Sequence, residues 1–164
     1  MAERERFLID TMNTPLGVAT VIADEAGALR LYCWDDPPER WRKEVHRRYG
    51  EAAFLACRNP FGHVAALERY FEGDIAAIDA IPVTFTGTLF QVKVWKALRT
   101  IAGGTTLSYG ALADRIGAPT AVRAVGLANG SNPIGVVVPC HRVIGRNGSL
   151  TGYGGGLPRK RWLL

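Results

Sequence analysis

Residues 136–145 read VVVPCHRVIG, an apolar run that ends in Pro139 and then sets the thiol of Cys140 beside the imidazole of His141. A thiol and an imidazole are the parts of a nucleophile and its base. Neighbouring side chains, however, point to opposite faces of a strand and diverge strongly in a helix. Either the pair is accidental, or the chain turns after Pro139 and a bridging water carries the proton between the two. Just downstream, GYGGGL is a glycine-rich loop. With Tyr153 at its edge it can wall a pocket for a flat group beside the thiol, since glycines let backbone amides approach a ligand closely.

The preceding residues must position this pair. FQVKVWKALRTI predicts a helix whose apolar stripe is Phe90, Val94, Ala97, Leu98 and Ile101. Two short helical patterns follow, SYGALADRI and TAVRAVGLANG, joined by GAP. Ser108 can cap the first, Gly117 can end it and Pro119 can open the second, which makes a helix-turn-helix. In the second helix Ala121, Val122, Val125 and Ala128 read as the inward stripe, and Thr120 and Arg123 fall on the opposite face. A base-reading helix offers several polar side chains to the major groove. This one offers a single arginine on a smooth surface, a pattern closer to insertion into a minor groove than to reading, although this stretch alone favours a plain surface arginine on a packing helix. NGSNP and RNGSL are turns, and IGVVV between them reads as a short buried strand or extended segment.

The first third reads as a small α/β unit. VATVIADEAGALRLYCW predicts a hairpin, and Trp41, Val45, Tyr49 and then Val64, Leu67, Phe71 recur at helical spacing. His46 and His63 read as surface residues, with no second cluster of metal-binding types near them. A boundary falls in IDAIPVTFTGT, where Pro82 and Gly87 break the periodicity, giving domains of residues 1–82 and 83–164. At 164 residues and 48% hydrophobic content the chain can bury one good core or two small ones. MAERERFLID lacks the apolar stretch of a signal peptide and no run is long enough for a membrane helix, so a cytoplasmic protein is expected. Cys33, Cys57 and Cys140 are odd in number and widely spaced, which argues for reduced thiols and against a paired zinc site. A net charge of +5 suits a polyanion, though weakly.

PCHRVIGRNGSLTGYGGG, preceded by SYGALADRIGAPTAVRAVGLANGSNP and FQVKVWKALRTI, resembles the O6-alkylguanine-DNA alkyltransferases, also called methylated-DNA-protein-cysteine methyltransferases. The resemblance is close over residues 86–164 and looser over TPLGVATVIADEAGALRLYCW. It implies an α/β protein with an RNase-H-like amino-terminal domain and a helix-turn-helix carboxyl-terminal domain that binds the minor groove. The implied activity is a stoichiometric, irreversible transfer of the alkyl group from a flipped-out O6-alkylguanine, and O4-alkylthymine, in duplex DNA to the protein's own cysteine. The protein would act as a monomer, with no metal or organic cofactor.

By the same resemblance Cys140 is the alkyl acceptor, His141 relays its proton through a water, and Asn132 is a hinge between recognition helix and active-site segment. Tyr109 helps rotate the nucleotide and contacts the base, and Arg123 replaces it in the stack. Thr120, Ala121 and Gly126 complete the DNA-contacting helix. Tyr153, Gly154, Pro139 and Val143 line the base pocket, and Lys160 is the lysine of the active-site loop. The family continues past the residues matching Trp162, Leu163 and Leu164 into a histidine-glutamate pair whose glutamate orients the histidine. The sequence here stops at Leu164, so that member lies beyond it or the relay lacks it and thiolate formation is impaired. Two other readings remain at this point. A cysteine hydrolase would bring Cys and His together from distant segments with an oxyanion site, and a DNA-binding regulator would leave Cys140 as a structural thiol, as Cys33 and Cys57 read.

Overall fold

The structure, a computed structural model, describes residues 4–164, and the chain divides into two units, Met1–Thr86 and Gly87–Leu164. In the first, β1 (Glu5–Thr14), β2 (Gly17–Asp24) and β3 (Leu29–Trp34) form an antiparallel meander. Helix α1 (Arg40–Tyr49) then carries the chain to β4 (Ala52–Ala56), which adds to β1 in parallel, so the sheet is mixed with order β3-β2-β1-β4. The expected hairpin is β2–β3. Its turn is held by Asp24, whose Oδ1 accepts from Ala28 N at 2.9 Å while Oδ2 receives Arg30 Nε at 2.8 Å. Phe7, Ile22 and Leu31 from the sheet pack with Trp41 and Val45 of α1 into one buried cluster, so the helical spacing of Trp41 and Val45 serves core packing.

Strands β1 and β4 carry no periodic signal. Only Phe7 and Met12 of β1 are fully buried, and β4 has no fully buried residue. Helix α2 (His63–Phe71) buries Val64 and Leu67 as its spacing predicts. His63 is not a surface residue: it is buried, with Nε2 donating to the Gly27 carbonyl at 2.7 Å, because the first helical residue is turned inward onto the β2–β3 loop. His46 is exposed. Cys33 and Cys57 are half-buried free thiols, and burial pushes Cys33 up to about 12, which leaves it unreactive.

The second unit opens with α3 (Leu89–Leu98), fixed by a capping box: Thr88 Oγ1 accepts from Gln91 N at 3.1 Å, and Gln91 Oε1 accepts from Thr88 N at 3.0 Å. Short strand β5 (Leu107–Ser108) leads into α4 (Tyr109–Arg115), capped by Ser108 Oγ on Ala111 N at 3.0 Å. Gly117, at φ +76°, lets the chain leave α4. Helix α5 (Val122–Gly130) begins three residues after Pro119, because Ala118–Ala121 close a separate turn with Ala121 N on Ala118 O at 2.9 Å. The later start rotates the expected stripe. Val125, Ala128 and Asn129 are buried, whereas Val122 is 40% exposed and Ala121 half-buried.

Residues 134–138 form no strand. Their buried amides are satisfied by consecutive tight turns, Val137 N on Gly135 O at 2.7 Å and Val138 N on Ile134 O at 3.0 Å, with Val136 at φ +66°, an outlying conformation for a β-branched residue. Strand β6 (Val143–Ile144) pairs in parallel with β5, and α6 (Leu157–Leu163) closes the unit. Among the described residues no helix is long and apolar enough to cross a membrane.

Gly87 shows how tightly α3 is set. A Cβ there would stand 2.7 Å from the Trp95 ring and 2.8 Å from Gln91 Oε1, displacing both the buried indole and the capping box. Gly87→Ala is expected to cost about 1–3 kcal/mol and lower the melting temperature by thermal denaturation, against about 1 kcal/mol for Thr88→Ala, which removes only the cap. A Gly87→Ala melt no lower than that of Thr88→Ala would contradict this packing.

Candidate active site around Cys140

Pro139 opens a single turn of 3₁₀ helix, Cys140–Arg142, closed by Arg142 N on Pro139 O at 3.0 Å. The chain therefore turns after the proline. Cys140 is 7% exposed and His141 1%. Three segments of the second unit hold this turn. From the loop after α5, Asn132 accepts from Ile134 N on Oδ1 at 3.0 Å and donates from Nδ2 to Val138 O at 2.8 Å. From the last turn of α5, Asn129 Nδ2 reaches the Cys140 carbonyl at 3.4 Å. From α3, Arg99 Nη1 donates to Val137 O at 3.1 Å, while Arg142 itself is buried with Nη1 on Ile101 O at 2.8 Å.

Helix α6 supplies Lys160, which has no exposed surface. Its Nζ donates to the carbonyls of Thr151 and Gly152 at 3.0 and 3.1 Å and lies 5.9 Å from the centre of the Tyr109 ring. Tyr109, at the start of α4, donates its hydroxyl to the same Thr151 carbonyl at 2.9 Å. A Cβ on Gly126 of α5 would meet the Tyr109 ring at 3.9 Å, so the glycine face of α5 lies alongside the tyrosine.

Burial sets the protonation states here. It pushes the Cys140 thiol above its ordinary value, against the Asn132 hydrogen bond, the Lys160 charge and the backbone amides of Cys140 and His141. Burial also drives His141 down to about 3, helped by the neighbouring charges of Arg142 and Lys160. Lys160 is lowered by burial, with Cys140 pulling the other way. At neutral pH the site thus holds a thiol beside a neutral imidazole. An anion forming on Sγ meets Asn132 and Lys160, so the site can carry a transient thiolate nucleophile. Among the described residues His141 Nδ1 and Asn129 Oδ1 are buried without a hydrogen-bond partner, and no cluster of three or more His, Cys, Asp or Glu is placed to hold a metal.

Cys140, His141, Asn132, Lys160 and Tyr109 are thus gathered together. Pro139 and Val143 are buried, Val143 within the β5–β6 pairing opposite Leu107. Tyr153 is half-buried in a turn closed by Gly156 N on its carbonyl at 2.9 Å, and Gly154 is exposed. Arg123 and Thr120 are exposed, and Ala121 and Gly126 half-buried. Charge is divided sharply: residues 87–164 contain ten Lys and Arg against Asp114 alone, whereas the acidic residues outnumber the basic ones in the first unit.

The family model of the 6-O-methylguanine DNA methyltransferase DNA-binding domain matches residues 89–164. The methylated-DNA–protein-cysteine methyltransferase of Shigella flexneri is 49% identical over 161 residues, 97% of this chain and 94% of the relative. That of Mycobacterium bovis is 60% identical over 154 residues, 94% and 88% of the two chains. The chain belongs to the methylated-DNA–protein-cysteine methyltransferase family. It is accordingly a DNA-repair methyltransferase acting on methylated DNA with a protein cysteine as acceptor. Among solved structures it is similar to the Mycobacterium tuberculosis O6-methylguanine methyltransferase, with a TM-score of 0.77 at 41% identity, covering 96% of this chain and 89% of that one. The crystal structure of Mycobacterium tuberculosis OGT in complex with DNA gives 0.76 at the same identity and coverage.

Sequence reasoning missed several residues that hold the methyltransferase site. Trp95 is fully buried and donates from Nε1 to Ala128 O at 2.8 Å, tying α3 to the end of α5. Gln91 reaches Ser131 Oγ at 3.3 Å. Asn129 and Arg142 are polar residues in apolar surroundings, a pattern that marks a buried hydrogen-bond partner only after the turn is known.

The depressed His141 fixes a pH dependence. The folded protein binds fewer protons at this position than the unfolded chain, so the contribution to stability is complete above the ordinary value of 6.5 and is lost as pH falls toward about 3. Melting temperatures between pH 7 and pH 4 are expected to fall more steeply for the wild type than for His141→Leu. Parallel slopes would show that His141 is not held neutral.

Proposed function

We propose that the methyltransferase flips O6-alkylguanine, and O4-alkylthymine, out of duplex DNA and transfers the alkyl group irreversibly to Cys140. The observation that carries this reading is the buried Cys140 thiol flanked by His141, Asn132 and Lys160, with the Tyr109 ring near Lys160. Sγ attacks the alkyl carbon, the carbon–oxygen bond breaks with its electron pair going to the guanine, and the thiol proton passes through a water to His141. Lys160 and Asn132 stabilise the charge on sulfur as it forms. The Tyr109 hydroxyl exchanges Thr151 for the departing base, giving the leaving group a donor.

His141 in its present surroundings is a weak base. An acceptor on Nδ1 would raise its basicity and fix its tautomer, the role of the glutamate that follows the two leucines in the family. The product thioether is not a leaving group under mild conditions, so each molecule reacts once.

In this reading α4 and α5 are the helix-turn-helix, α5 lies in the minor groove, and the Met1–Thr86 unit is RNase-H-like. Thr120, Ala121 and Gly126 line the approach to DNA, Arg123 fills the gap left by the extruded nucleotide, and Tyr153, Gly154, Pro139 and Val143 shape the base pocket. The protein acts as a monomer. The surplus of cations on residues 87–164 supports phosphate binding by this half, and the family model for a DNA-binding domain spans nearly all of it.

Cys140→Ala is expected to abolish transfer while changing affinity for undamaged duplex by less than about twofold, because phosphate contacts carry the affinity. Parallel loss of both in a binding titration would make the cysteine structural. Arg123→Ala is expected to slow repair of alkylated duplex by about tenfold or more, since extrusion costs a few kcal/mol, and to leave reaction with free O6-benzylguanine unchanged. Equal slowing of both substrates would remove the insertion role.

A further inference from the structure

Helix α5 turns Val125, Ala128 and Asn129 inward, which leaves Arg123, Leu127 and Gly130 along its opposite side. Leu127 is 74% exposed. It stands four residues from Arg123, so the two side chains are stacked neighbours about 5–6 Å apart at Cβ. The remaining exposed residues of this helix, Val122, Ala124 and Gly130, are smaller. A leucine so placed on an otherwise smooth face leaves apolar area in water that a concave partner would remove.

The occupant is indicated by charge and by neighbours. Arg123 is the only ionisable residue on α5, and the unit around it has a single acidic residue. The phosphates of a duplex are drawn to such a surface, and a minor groove admits a narrow helix face bearing an apolar side chain that inserts against the base steps.

We propose that Leu127 is a second minor-groove contact, an apolar wedge seated one helical turn from Arg123 that holds the groove open while Arg123 occupies the place of the extruded base. This rests on the duplex-binding reading above. An apolar wedge makes no hydrogen bond to a base edge and no ion pair to a phosphate. Its contribution is therefore independent of sequence and of salt.

The test uses the full chain with Leu127→Ser, Leu127→Ala and Leu127→Met. Duplex affinity is measured by fluorescence anisotropy across a salt series, alkyl transfer is followed on alkylated duplex and on free O6-benzylguanine, and oligomeric state is read by sedimentation. Leu127→Ser is expected to weaken duplex binding about tenfold, or about 1.4 kcal/mol, with Leu127→Ala between it and the wild type and Leu127→Met near the wild type. The slope of affinity against salt and the free-base rate stay unchanged. Wild-type affinity and duplex repair in Leu127→Ser would overturn the wedge alone, as would equal losses on the free base, a changed salt slope, or a wild-type oligomer that dissociates in the serine variant. A wild-type protein that neither binds nor repairs duplex would instead overturn the functional reading and this inference with it.

Discussion

The bridge made by Asn132 is the constraint on which the second unit depends. Its side chain accepts from Ile134 N and donates to Val138 O, so one amide spans the turns that bring the chain from the end of α5 to Pro139. Those turns replace the ladder a strand would have supplied, and they force Val136 into a left-handed conformation. A β-branched residue holds that conformation only where its surroundings over-determine it. Here Val136 is fully buried, and Arg99 from α3 and Asn129 from α5 bind the backbone on either side of Pro139. Cys140 is thereby fixed relative to the helix that carries Arg123.

The second determinant is charge taken out of water. Lys160 is buried against two carbonyls and the Tyr109 ring, and Arg142 is buried against the Ile101 carbonyl, with no carboxylate among their hydrogen-bond partners within the described residues. Such an arrangement is costly in the resting protein, as the lowered Lys160 shows. It becomes favourable when negative charge appears on Cys140. Burial keeps His141 neutral and the same cations reinforce it, while Lys160 also favours a transient thiolate on Cys140.

Much of the site was legible because its parts lie close together in sequence. Cys140, His141 and Pro139 are contiguous, Ser108 and Gly117 carry unambiguous cap and exit chemistry, and the segments around them are characteristic of the family. The errors lie where tertiary contacts outweighed local pattern. IGVVV has the composition of a buried strand, yet side-chain donors from Asn132 and Arg99 made turns affordable there. Val122 has the character of a core residue, but the Ala118–Ala121 turn delays the helix and points it outward. Strands β1 and β4 lack alternation because so few of their residues are buried, and His63 carries no local sign that the Gly27 carbonyl awaits it.

Stoichiometry tests the account most directly. Duplex carrying O6-methylguanine, titrated in excess against the protein, should be repaired up to one equivalent and then no further, since a thioether on Cys140 has no route back to a thiol. Intact-mass analysis should find the protein heavier by one methyl group, with peptide mapping placing it on Cys140. Multiple turnovers, or repair that leaves Cys140 unmodified, would contradict the assignment of Cys140 as alkyl acceptor.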